Sequence, residues 1–173
     1  MTIQAYTKTA RALHWVMAVP IIALLALGQQ TMGSHTARWL PSLHASARLV
    51  IVVMFALRVI WRWKHPPPIS NDRSRWEAIA SHTVHSLLYG GMILIPISGW
   101  LAYTEHVRRS MGVRPASWFG FRIPLLPDFG FNWHVFHNWS GKLMMVLIAL
   151  HVAAALKHHF FDQDETLKRM LRW

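Results

Sequence analysis

Apolar residues along this chain gather into four long stretches, each bounded by charge or proline and each long enough for a helix that crosses a bilayer. The first runs uncharged from Ala12 to Ala37, and its apolar part, LHWVMAVPIIALLALGQQTM, covers Leu13 to Met32. At about 1.5 Å per residue that length spans a hydrocarbon core of about 30 Å. The second, SLHASARLVIVVMFALRVIWRW, occupies Ser42 to Trp63 and carries Arg48 and Arg58 inside it. Pro66, Pro67 and Pro68 stop it, because successive prolines cannot continue the hydrogen-bond ladder, and the polar ISNDRSRWE leads onward. The third lies between Glu77 and Glu105, roughly His82 to Tyr103; Pro96 and Gly99 are expected to bend it, and Gly90 and Gly91 to permit close helix approach. A loop over 105–132, rich in arginine, proline and aromatics, precedes the fourth stretch, Trp133 to Lys157. The tail from His158 to Trp173 is amphipathic enough for a short interfacial helix.

This pattern predicts an all-α integral membrane four-helix bundle, one transmembrane domain over 1–173 with spans near 13–32, 43–63, 82–103 and 133–157. A cleavable signal peptide is the competing reading of the first stretch; no convincing small-x-small site follows Gly28, and three more spans come after it. Composition agrees with the bilayer: 53% of residues are hydrophobic and 14% charged, against about 25% charged in soluble domains. The formal charge of +11 leaves no acidic module. Four spans put both termini and the loop between spans two and three on one side. That side carries ten cations, against Arg38, Arg108, Arg109, Arg114 and Arg122 on the other, so both termini are expected in the cytoplasm. With no cysteine, thiol catalysis, iron–sulfur clusters and covalently attached haem are excluded.

Twelve histidines remain to carry chemistry. An imidazole inside a span is a functional expectation, since an unpaired polar ring in hydrocarbon is unfavourable. His14 and His85 sit at the cytoplasmic starts of spans one and three, His44 and His137 at the periplasmic starts of spans two and four, and His151 fourteen residues after His137. Fourteen residues turn a helix to within about 40° of four full turns and raise it about 21 Å. His137 and His151 thus share one face at two depths, the arrangement needed for two stacked haems, each with a second imidazole from a facing helix. His44 is the expected partner of His137; His151 could meet His14 or His85, and depth does not separate them. Two imidazoles on iron leave no open position, which suits electron transfer. His35, His65, His82, His106 and His134 read as interfacial residues at helix ends. Histidine-based transport of another metal would call for carboxylates inside the membrane, and none lies within a span.

Arg48 follows His44 by one turn and Arg58 follows it by fourteen residues, which suits contacts to the propionates of an outer and an inner haem respectively. The alternative is that both snorkel to headgroups.

Taken together, ALHW at Ala12 to Trp15, SLHASAR at Ser42 to Arg48, HTVHSLLY at His82 to Tyr89, Pro96-x-x-Gly99, His137 followed by HVAAALKHHFF from His151, and the closing DETLKRM resemble the bacterial cytochrome b561 family over nearly the whole chain. The resemblance implies two haem b groups in an inner-membrane protein, one on His14 and His151, the other on His44 and His137. It also implies electron passage between the periplasmic face and the quinone pool, with superoxide:ubiquinone oxidoreductase activity known in the family. On that reading Arg108 and Arg109, with Arg114 and Arg122, steer superoxide to the periplasmic surface. His85, His158 and His159 are candidates to bond ubiquinone and deliver protons. Ordinary anionic-lipid and headgroup contacts are the competing roles. The expected partners are the lipid bilayer, quinone, and superoxide or a periplasmic electron-transfer protein, with no nucleic acid. Similar four-histidine layouts occur in cytochrome b subunits of hydrogenases and formate dehydrogenases. A subunit fed by a partner dehydrogenase, transfer from quinol to a periplasmic acceptor, and a haem-stabilised scaffold are therefore the alternatives.

Overall fold

The structure is a computed structural model describing residues 6–30, 39–66, 74–109, 117–118, 121–122 and 124–171. Four helices long and apolar enough to cross a membrane dominate it: α1 (Lys8–Gln30), α2 (Trp39–Lys64), α3 (Arg75–Arg109) and α4 (Trp133–Phe160). Their outward faces are apolar, with Val19, Val53, Leu94, Leu143 and Val146 each about half exposed or more, the distribution that lipid rather than water accommodates. Two-residue strands β1 (Ser117–Trp118) and β2 (Phe121–Arg122) form a small antiparallel pair in the loop before α4, and the all-helical architecture stands.

Helix α3 is longer than its apolar stretch at both ends. Ser74 starts it: Glu77 Oε2 accepts from the Ser74 backbone N–H at 3.2 Å and from its hydroxyl at 2.8 Å, so the S-x-x-E signature caps the helix before the apolar residues begin. At the other end Thr104 and Val107 are buried. The Thr104 hydroxyl accepts from the Leu126 amide at 3.3 Å, and Trp100 Nε1 donates to the Pro124 carbonyl at 2.8 Å. Helix α4 begins where Asn132 accepts from the Val135 amide at 3.1 Å. It ends at Phe160, the Lys157 carbonyl accepting from the amides of Phe161 and Asp162. Gln163 then turns the chain with φ of 53°. The tail yields a four-residue helix, α5 (Lys168–Leu171).

Neighbours pack in chain order, α1 on α2, α2 on α3 and, most extensively, α3 on α4, while α1 meets α4 more sparsely and α2 stands across the bundle from α4. The core centres on Leu88, Met144 and Leu147, where α3 and α4 meet. One end of the bundle collects the start of α1, the end of α2, the start of α3 and the tail. There Trp61 Nε1 donates to Thr7 Oγ1 at 3.1 Å, Lys157 Nζ to Glu77 Oε1 at 3.0 Å, and Trp15 Nε1 to the Met170 carbonyl at 3.1 Å. We call this the termini end and the opposite one the loop end.

Candidate functional site

The loop half of the bundle holds a cavity of about 320 Å³, within the size range of cofactor pockets. All four helices line it, including Gly28, His44, Arg48, Gly99 and His137. The rings of His44 and His137 meet across it with centres 6.1 Å apart and planes at 76°. At the termini end His14 and His151 repeat the arrangement at 6.4 Å and 70°. Metal–imidazole bonds are about 2 Å long, and a ring nitrogen lies about 1.2 Å from its ring centre, so a metal shared in line by two imidazoles sets the centres about 6.4 Å apart. Both pairs have that spacing, and both take one ring from α4.

The surroundings of His137 show why its ring stands where it does. Its Nδ1 lies 3.1 Å from the Ile95 carbonyl and 3.2 Å from Ser98 Oγ, so Nδ1 carries the proton for the carbonyl and the other nitrogen is free for a metal. Ser98 is the most buried of the described polar side chains. A Cβ on Gly99 would lie 2.8 Å from His137 Cε1, and one on Gly28 3.2 Å from His44 Cε1. The missing side chains are the room the imidazoles occupy. Ile95, Ser98 and Gly28 were not singled out by the sequence, and Gly99 was expected only to bend α3. The signal was the same P-x-x-G: it places a glycine one turn beyond Ile95 on the face toward α4.

Arg48 is buried beside this cavity, its guanidinium 5.6 Å from the centre of the Tyr103 ring and 5.8 Å from that of Trp100. Its Nε and Nη2 have no hydrogen-bond partner among the described residues. A buried cation with unused donors is a fit for an anionic group entering the cavity. Arg58 Nη1 is likewise buried without a hydrogen-bond partner among the described residues.

The remaining candidates lie apart from the pairs or behind them. His85 is against His151, ring centres 5.1 Å apart. His158 Nδ1 is 2.9 Å from carboxylate oxygens of both Asp162 and Asp164. His159 packs against the Phe160 ring. Glu77, His158 and Asp162 have the spacing of metal ligands, but the Lys157 ammonium, 3.0 Å from Glu77 and 2.8 Å from Asp162, already supplies the positive charge there. At the loop end Arg108 donates to the Leu126 carbonyl at 2.9 Å and Arg109 pairs with Glu105 at 2.8 Å. Arg114 and the side chain of Arg122 lie outside the described residues.

Comparison with known proteins gives this geometry a context. A family model described as prokaryotic cytochrome b561 matches residues 5–173. Cytochrome b561 homolog 2 of Escherichia coli K12 is 34% identical over 180 residues, covering 98% of this chain and 93% of the relative. Cytochrome b561 homolog 1 of the same organism is 27% identical, with 96% of each covered. A probable superoxide oxidase CybB of Yersinia pestis is 26% identical over 96% of this chain and 95% of its own length.

Proposed function

We infer the function of this chain from the premise that it belongs to the prokaryotic cytochrome b561 family, whose members carry out membrane electron transfer with haem b. It is a multi-pass bacterial membrane oxidoreductase. The finer reading proposed is a superoxide:ubiquinone oxidoreductase of the inner membrane, with both termini cytoplasmic and the loop end facing the periplasm. The observation that carries its electron-transfer core is the two imidazole pairs, ring centres 6.1 and 6.4 Å apart, at two levels of α4. His44 and His137 would hold one haem b and His14 and His151 another. Bound there, haem supplies a one-electron carrier near each face of the bilayer.

The chain's own residues do the rest. The buried Arg48 guanidinium is a partner for cofactor carboxylates in the loop-end cavity, and Arg58 serves the termini end. Arg109 is 70% exposed at its side chain even while paired with Glu105. With Arg108 and the arginines of the 105–132 loop it gives the periplasmic end a positive field that draws in a small anion. Two superoxide ions each give up one electron there and leave as dioxygen. At the cytoplasmic end ubiquinone takes up the two electrons and two protons, with His158 and His159 beside it. Carboxylate oxygens of Asp162 and Asp164 both lie 2.9 Å from His158 Nδ1 and are near enough to resupply a proton to the imidazole. The similarity to the probable superoxide oxidase of Yersinia pestis supports this choice of donor.

Stopped-flow mixing of oxidised holoprotein with superoxide tests the reading. Reduction near the diffusion limit that slows as salt is added, followed by reoxidation on adding ubiquinone, is the expected result. Sluggish reduction of a fully haem-loaded protein would overturn superoxide as donor and assign electrons to a protein partner instead.

A further inference from the structure

Three imidazoles, not two, gather at the termini end. His14 stands 6.4 Å from His151, and His85, on α3, meets the same ring at 5.1 Å with the planes at 85°. The longer separation leaves room for a metal between the rings and the shorter does not. The shorter, edge-on contact is close enough for two imidazoles to share a hydrogen bond, for which a nitrogen–nitrogen distance of about 2.9 Å sets the ring centres about 5.3 Å apart. His85 is also prepared to accept such a bond. Its Nδ1 donates to the Ser81 carbonyl one turn back at 2.6 Å, with the Ser81 hydroxyl 3.4 Å away. A neutral imidazole that donates through Nδ1 keeps Nε2 as an acceptor.

An imidazole that binds a metal through one nitrogen carries its proton on the other and needs an acceptor for it. At the loop end the acceptor of His137 is the Ile95 carbonyl. We propose that His85 fills this role for His151, accepting its ring N–H and so acting as a positioning residue for the termini-end metal site. The proposal rests on the haem-binding reading of the pairs. It gives His85 a task distinct from the quinone contact expected from its depth.

The consequence is electronic. An imidazole nitrogen is a stronger base than a peptide carbonyl, so it draws the His151 proton further and leaves that ring more electron-rich. An electron-rich axial ligand favours oxidised iron and lowers the potential of the haem it holds. The relay from His151 through His85 to the Ser81 carbonyl therefore sets the two levels apart, the termini-end one being harder to reduce than it would be with a carbonyl acceptor.

Optical redox titration of holoprotein, with each haem followed separately by EPR, tests this. His85→Phe keeps an aromatic ring and removes the acceptor; His85→Gln keeps an acceptor oxygen. In the Phe variant one haem is expected to become easier to reduce by about tenfold in equilibrium constant, about 59 mV for a one-electron couple. The other haem stays unchanged, and His85→Gln recovers most of the difference. Unshifted potentials, or equal shifts for Phe and Gln, with two haems still bound overturn the role of His85 and leave the haem-binding reading standing. Fewer than two haems in the unsubstituted protein overturns that reading itself. If His85→Phe loses haem, pulsed EPR of the remote imidazole nitrogens in the unsubstituted holoprotein decides. Two distinct sets, one shifted toward imidazolate, support the proposal, and a single set overturns it.

Discussion

His137 and His151 occupy one helix and one face of it, yet their supports differ in kind. His137 leans on the backbone of α3, through the Ile95 carbonyl at 3.1 Å, with Ser98 beside it and the bare Cα of Gly99 beneath. His151 meets a third imidazole, that of His85, with ring centres 5.1 Å apart. The loop-end ring rests on a backbone carbonyl and on room left by a glycine, whereas the termini-end ring has a second imidazole side chain against it. A fold with one repeated ligand geometry can in this way keep two sites chemically unlike.

The largest expected effect comes from deleting a ring. His137→Ala should leave one haem per chain by pyridine haemochromogen assay, with the termini-end spectrum intact; equal loss of both haems from a folded protein would refute two separately held sites. A steric change should act on the loop-end site alone. The 2.8 Å clash in Gly99→Ala, at about 1–3 kcal/mol for overpacking, predicts haem release from that site about 5- to 150-fold more favourable in a competition with apomyoglobin. Gly90→Ala, whose Cβ meets nothing within 4 Å, is the matched control. The smallest effect belongs to Ser98→Ala. It removes one contact to His137 Nδ1 and leaves the Ile95 carbonyl in place, at about 1 kcal/mol or fivefold in the same assay.

The four helices were legible because a span announces itself by apolar length alone, whatever it packs against. The ends of α3 were not, because Ser74 and Glu77 cap it seven residues before the expected start at His82, beyond the apolar signal. Periodicity put His137 and His151 on one face, and depth brought His44 opposite His137. Depth left His14 and His85 tied as neighbours of His151. Both are in fact its neighbours, and only ring spacing, which no linear pattern encodes, tells them apart. The hydrogen bond from His137 to Ile95 was invisible for a similar reason, since a backbone acceptor carries no side-chain signature.

Helix α4 runs unbroken through both histidines, and this separates the parts of the chain that can change length from those that cannot. Loops outside the bundle can gain or lose residues without altering the rise of about 21 Å between the two rings. A single deletion among the thirteen residues 138–150 would swing one ring about 100° around the helix axis and away from its partner. The lipid-facing positions of that segment can be substituted while Met144 and Leu147 stay in the core; insertion and deletion should be absent from it in any descendant that retains both sites.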